Sequence, residues 1–274
     1  MIGRYTWRTG VLEALLIVAA FVSIAPIFAL LNVAFKDPRN ISSAFLLQGD
    51  YTWNNFATAW VDGRLGPALT NSLVITASSV LLILILAVLA AYPLARIFRP
   101  WSRFTFYGFM LGLVIPGQLA LLPLYRTMNE LGLTGSVPGV ILLFVGGSLP
   151  FTVFLLTAFL RELPLEYEEA AALDGCGPVR TLTAVVVPML RPAIGTAAIL
   201  NALAVWNNFF LPLLYLSGSG QETAPVRINT FVGQYSTNWP VIFAALTVTS
   251  IPILALYFLL QRHIIKGFAS GIKG

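Results

Sequence analysis

Few residues in this chain could do covalent or metal chemistry. One cysteine, Cys176, and one histidine, His263, stand among 274 residues, and neither adjoins an acid in a pattern that would activate a nucleophile. A single thiol excludes an intrachain disulfide framework and a cysteine metal cluster, so no catalytic residue and no metal ligand are assigned. No G-x-x-x-x-G-K-[ST] loop is present to cradle nucleotide phosphates. Two other groups have chemistry to offer. The stretch Arg161 to Gly175 holds five of the eleven acids, Glu162, Glu166, Glu168, Glu169 and Asp174. The neutral amides Asn32, Asn71, Gln118, Asn201, Asn207 and Asn208 form the second group, the last two directly after Trp206. Amides donate and accept hydrogen bonds while an aromatic ring covers an apolar face, which suits a polyhydroxylated solute. The same amides can instead bond a neighbouring helix.

The elements that must position these groups follow from composition. Hydrophobic residues make up 58% of the chain and charged residues 10%, against roughly 25% charged in a soluble domain. That excludes a water-soluble enzyme, and the net charge of +5 is too dispersed to form a nucleic-acid face. Lipid offers the backbone no hydrogen-bond partner, so a crossing needs roughly 20 mostly apolar residues in a helix. Six stretches qualify, about 11–35, 69–95, 104–125, 138–160, 192–216 and 240–261. The expectation is an all-α membrane protein, one transmembrane domain over 1–274 with six helices and both termini on one side. The segments on that side carry eleven Lys and Arg, and the opposite segments, of similar total length, carry five. The bias places both termini in the cytoplasm. The first apolar run exceeds the 7–15 residues of a signal-peptide core and is expected to stay as an anchor.

Prolines at 26, 93, 116, 123, 150, 212 and 252 fall inside or near the ends of these spans. Each removes a helical hydrogen bond, giving either ordinary kinks in a packed bundle or helices bent around a path. Apart from Glu13, no ionisable residue lies away from the span margins, which argues against an ion-coupled relay. The acidic stretch is read as a short helix outside the membrane. Pro164 suits a first turn, the glutamates suit the positive end of the helix dipole, and Gly175 can adopt a left-handed cap. With the segment from Gly177 to Val187 it fills a cytoplasmic connection, 161–191, far longer than the 2–8 residues usual between bundle helices. Such a length asks for a protein partner. An acidic helix would be repelled by the negative cytoplasmic leaflet.

The spacing within this connection resembles a known family. Glu169-Ala170-Ala171, three residues, Gly175, nine residues, Val185, one residue and Val187-Pro188 is similar to the EAA motif of ABC importer permeases, E-A-A-x3-G-x9-I-x-L-P. Two further runs resemble the carbohydrate-uptake, maltose-type branch of that family. They are Trp206-Asn207-Asn208-Phe209-Phe210-Leu211-Pro212-Leu213, with Asn208 where an acid is usual, and Gly233 to Trp239. The tail from Gly267 to Gly274 is similar to that branch's C-terminus but one spacing residue shorter.

The resemblance implies a type I ABC importer permease fold and the permease subunit of an ATP-driven importer in the bacterial inner membrane. The solute would be a sugar or oligosaccharide handed over by an external binding protein. It implies a second permease subunit and two ATPase subunits as partners, with ATP and magnesium on the ATPases and no cofactor in this chain. Glu168, Glu169, Ala170, Ala171, Leu173, Asp174 and Gly175 would couple to an ATPase, and Gly271, Lys273 and Gly274 would touch the ATPases from the tail. Gln118, Trp206, Asn207 and Asn208 are the candidate substrate path. The outer segments 36–68 and 217–239 either meet the binding protein or are solvated loops, and 54–62 looks like a folded cap. Within the family, glycerol-phosphate import competes with sugar import. From a different class, a stand-alone channel or a membrane-embedded enzyme stays open.

Overall fold

A computed structural model describes residues 7–39, 43–234 and 238–270. Regular secondary structure among them is helical, apart from an isolated antiparallel bridge between Lys36 and Tyr51. In chain order the helices are α1 (Trp7–Phe35), α2 (Asn54–Val61), α3 (Leu65–Arg96), α4 (Pro100–Val114), α5 (Leu121–Glu130), α6 (Val137–Glu162) and α7 (Glu166–Leu173). They continue with α8 (Pro178–Thr181), α9 (Val187–Met189), α10 (Arg191–Trp206), α11 (Phe210–Leu216), α12 (Ala224–Gln234) and α13 (Trp239–Ser270). Four, namely α1, α3, α6 and α13 over Trp239–Phe258, are long and apolar enough to cross a membrane. Two bent pairs bring the number to six if each pair is one span.

The bends have identifiable causes. The stretch 104–125, expected as a continuous span, turns by 91° between α4 and the segment Gly117–Glu130. Pro116 has no N–H to donate, and Ile115 before it is extended at φ −74°, ψ 119°, as a residue preceding proline prefers. The second bend, 75°, lies between Pro178–Met189 and α10. There Leu182–Val186 widens into a π turn just ahead of Pro188, and Pro192 opens the next helix. The expected fifth span, 192–216, is likewise interrupted. Asn207 ends α10, and the Asn208 side-chain oxygen accepts the Leu211 N–H at 3.0 Å as α11 begins.

The described residues form two compact units. One collects the chain up to Gly66 with Arg227–Ile251. In it Ala34, Ala59, Leu65, Val241, Ala244 and Ala245 form the core. The residues after α1 make a folded cap. The Lys36 side chain is fully buried, and its ammonium donates to the Ser43 and Leu46 carbonyls, both at 2.8 Å. Asn32 donates to the Ala44 and Leu46 carbonyls and accepts from the Tyr51 hydroxyl. Asn55, in α2, donates to the Ala34 and Lys36 carbonyls at 2.8 Å each. Apart from the Asn32 side-chain oxygen, these acceptors are backbone carbonyls at the end of α1 and in the segment after it, which would otherwise be left unpaired.

The other unit holds Pro67–Val226 and the chain from Pro252 on. Its largest core joins α3, α6, the π turn and α10. Ala87, Ala91 and Ala95 recur every fourth residue along α3, and Ala193 and Ala197 do the same on α10, all with at most 2% exposure. Small side chains at this spacing let helix backbones approach closely, which is how helices associate in a solvent as apolar as their own surfaces. Asn201 donates to the Thr152 hydroxyl at 3.0 Å and to the Ala197 carbonyl at 2.8 Å, stitching α10 to α6.

Candidate functional site

The acidic stretch folds into α7 with the geometry its spacing demands. Leu165 precedes the helix and its carbonyl accepts from Glu168 and Glu169. At the other end the Gly175 N–H donates to the Ala172 carbonyl at 3.0 Å and the Cys176 N–H to the Ala171 carbonyl at 2.9 Å. This paired closure satisfies carbonyls that the helix end leaves open, and it requires a left-handed residue at Gly175, whose φ is +81°. The interval between Glu169-Ala170-Ala171 and Gly175 is therefore set by one helix length and its cap.

Side chains of α7 divide by direction. Ala171 is buried within its own unit, while Ala170, Ala172, Glu169 and Asp174 are exposed and Leu173 is 90% exposed. Leu165, Tyr167 and Val179 add further exposed apolar surface on the same connection. The Glu169 carboxylate makes no ion pair among the described residues. Glu168 points the other way. Its Oε1 accepts from Arg96 Nε at 2.7 Å and its Oε2 from the Tyr92 hydroxyl at 2.9 Å, and Arg96 also donates to the Leu163 carbonyl at 3.1 Å. Both partners in the ion pair are largely buried, the side chains 12% and 14% exposed. Sequence reasoning grouped Glu168 with the outward residues and did not assign Tyr92 or Arg96. The signal lay in their four-residue spacing, which puts both on one face at the C-terminal end of α3.

The amide group disperses. Asn32, Asn71 and Asn201 bond to their own chain, Asn71 reaching the Glu222 carbonyl at 3.2 Å. Gln118 and Asn207 are exposed, and their side chains make no hydrogen bond among the described residues. Nor does any such bond join Gln118 to Asn207 or Asn208. Trp206 is 5% exposed and lines an apolar cavity of about 440 Å³ with Leu73, Val80, Leu84, Ala202 and Pro252. Gly271, Lys273 and Gly274 lie outside the described residues.

Residues 83–270, which include α7 and both exposed amides, match the family of binding-protein-dependent transport system inner membrane components. The chain belongs to that family. As a family member it is a multi-pass membrane protein, in agreement with its apolar helices. It is 35% identical over 262 residues to the diacetylchitobiose uptake system permease protein NgcG of Streptomyces coelicolor, covering 94% of this chain and 87% of that one. It is 31% identical over 272 residues to the melibiose/raffinose/stachyose import permease protein MelC of Bacillus subtilis, covering 97% and 99%. Its fold matches a chain in the crystal structure of a bacterial ABC transporter involved in the import of the acidic polysaccharide alginate. There the TM-score is 0.83 at 21% identity, over 96% of this chain and 99% of that one. This membrane component therefore has the ABC importer permease fold.

The cap of α7 gives a direct test of backbone against side chain. A Cβ on Gly175 would meet no atom of the chain within 4 Å, so the cost of substitution is conformational. A non-glycine residue at this φ costs about 1–2 kcal/mol, more for a β-branched one and less for asparagine. Gly175→Val is expected to open the connection to proteolysis and to lower transport severalfold, with Gly175→Asn close to wild type. Equal loss in both variants would show that contact with a partner, and not the cap, excludes side chains there.

Proposed function

We propose that the chain is the permease subunit of an ATP-driven importer for a sugar or oligosaccharide delivered by an external solute-binding protein. In this reading both termini and the 161–191 connection face the cytoplasm of a bacterium, the membrane is the inner one, and a second permease subunit completes the pathway. Two ATPase subunits hydrolyse ATP, and α7 docks against one of them. The tail residues Gly271, Lys273 and Gly274 contribute a second contact. The chain itself hydrolyses nothing and holds no cofactor.

The observation that carries this reading is the outward face of α7. Tyr167 and Leu173 expose apolar surface on the helix that carries Glu169, which has no ion pair among the described residues; the helix end is locked by the Gly175 cap, and Val179 adds apolar surface from α8. An apolar patch ringed by polar groups is the mark of a protein contact. The sugars named for two relatives, and the exposed amides of Gln118 and Asn207, support the solute class. ATP-driven closure of the ATPases would bias the spans between two states to the extent that α7 binds more tightly in one of them.

The test is uptake by proteoliposomes holding this chain, its partner permease and the ATPases, supplied with binding protein and labelled diacetylchitobiose, melibiose or raffinose. Accumulation is expected only with ATP inside and binding protein outside. Flux through the purified chain alone, without ATP, would instead identify a stand-alone channel.

A further inference from the structure

A second polar feature lies at the same end of the α3–α6 unit and is not used by the docking face. Between the end of α3, the start of α4 and the end of α6 is a cavity of about 390 Å³, lined by Leu94, Ile97, Ser102, Arg103, Phe106 and Arg161 among others. Its walls are mixed. Leu94, Ile97 and Phe106 contribute apolar surface, and two guanidinium groups and a hydroxyl contribute polar surface.

The cations here lack acids. The Arg161 guanidinium lies over the Phe106 ring at 4.9 Å, and its sole protein acceptor among the described residues is the Leu94 carbonyl at 3.5 Å. The Arg103 guanidinium has no hydrogen bond or ion pair among them. Ser102 is 2% exposed, and its hydroxyl also has no partner there. The Ser102 hydroxyl can donate to an anion, and an anion between two guanidinium groups that line one cavity without an acid would relieve their mutual repulsion. The nearby Arg96 is different, because Glu168 already neutralises it. Acids do occur next door. Glu162 and Glu166 line a neighbouring cavity that shares Arg161 and Phe98, and their carboxylates would repel an anion there.

The level of the cavity narrows the ligand. It sits where α3 and α6 stop and α4 begins, and the ends of spanning helices are where a chain meets lipid headgroups. Phe98 and Tyr107, which also line it, are strongly exposed, as side chains facing acyl chains and the interface would be. Guanidinium forks match phosphate oxygens bidentately, and basic pockets between transmembrane helices hold anionic headgroups. A soluble acidic peptide would satisfy the arginines but would have no use for the apolar surface.

We propose that Arg103, Arg161 and Ser102 form a binding site for the phosphate headgroup of an anionic phospholipid. The lipid's glycerol and first methylenes lie against Leu94, Ile97 and Phe106.

The site is tested on the purified full chain in nanodiscs of phosphatidylcholine doped with phosphatidylglycerol, scoring the lipid that survives delipidation by mass spectrometry. Wild type is expected to retain phosphatidylglycerol over phosphatidylcholine. The double variant Arg103→Gln/Arg161→Gln is expected to lose about tenfold of that retention. Arg103→Lys/Arg161→Lys, which keeps the charge without the fork, should fall between them and serves as the control for a folded chain. Added inorganic phosphate should not displace the lipid. Displacement by phosphate would mean a free-phosphate site, and equal retention of both lipids, or of lipid by the Gln pair, would overturn the proposal. So would a Gln pair that keeps its lipid but loses a co-expressed ATPase, since the arginines would then belong to a protein contact. Lipid retention does not depend on transport, so its outcome is separate from the fate of the importer reading.

Discussion

Leu173→Asp is expected to abolish import and to detach the ATPase while leaving the chain in the membrane. The side chain is 90% exposed at the last turn of α7, so its removal disturbs no packing within the chain. Burying a leucine at an interface contributes about 1.5–3 kcal/mol, and an aspartate would further require desolvation without a partner. Together these weaken association by about 100-fold or more, which co-purification of the ATPase from membranes would detect. Because the change is local to an exposed residue, membrane insertion and solubility in detergent should match wild type. Wild-type uptake by Leu173→Asp would remove α7 from the docking role.

Glu168→Ala is expected to fail in a different way. Here the lost contacts are internal, the ion pair to Arg96 at 2.7 Å and the Tyr92 hydrogen bond at 2.9 Å. Removing one partner from a largely buried pair costs on the order of 3 kcal/mol, since the other charge is left uncompensated. Arg96 keeps the Leu163 carbonyl, so the chain should still fold. What is lost is the tie between α7 and α3. Import should therefore drop by at least about tenfold, while ATPase association falls far less than in Leu173→Asp. Exchanging the charges, Arg96→Glu with Glu168→Arg, should restore part of the import, and Tyr92→Phe should cost less than either single charge removal. If Glu168→Ala released the ATPase as completely as Leu173→Asp, the carboxylate would be a docking group and the internal clasp incidental.

These two residues show why the motif was legible and its division of labour was not. The interval from Glu169 to Gly175 is local: one short helix, one left-handed cap, and a chain direction that follows from backbone geometry. Glu168 and Glu169 are adjacent and chemically identical, so nothing local says that one turns to Arg96 and the other to solvent. That depends on the angle at which α7 returns against α3, seventy-odd residues away in the chain. The amides behave similarly. Asn201 and Asn207 read alike in the sequence, yet one is consumed by Thr152 and the other is left open.

The spans separate along the same line. Continuous apolar runs at α1, α3, α6 and α13 are legible because the lipid requirement acts on every residue of the run. The stretches 104–125 and 192–216 are apolar as well, though interrupted by amides, and their prolines signalled a disturbance without its size. Whether a proline yields a modest kink or a 91° turn depends on what neighbouring helices offer the freed carbonyls. Lys36 makes the point most simply. As a letter it was a charge on an outer loop, and only the folded cap, with the Ser43 and Leu46 carbonyls at 2.8 Å, makes it a buried one.

Composition, apolar run length and the spacing of one capped helix were enough to specify a helical membrane component with an outward α7, because each is an interaction with solvent, lipid or the adjoining turn. The partner of each polar side chain, the depth of each proline bend and the cavity between Arg103 and Arg161 were settled by contacts between distant segments, which no local pattern encodes.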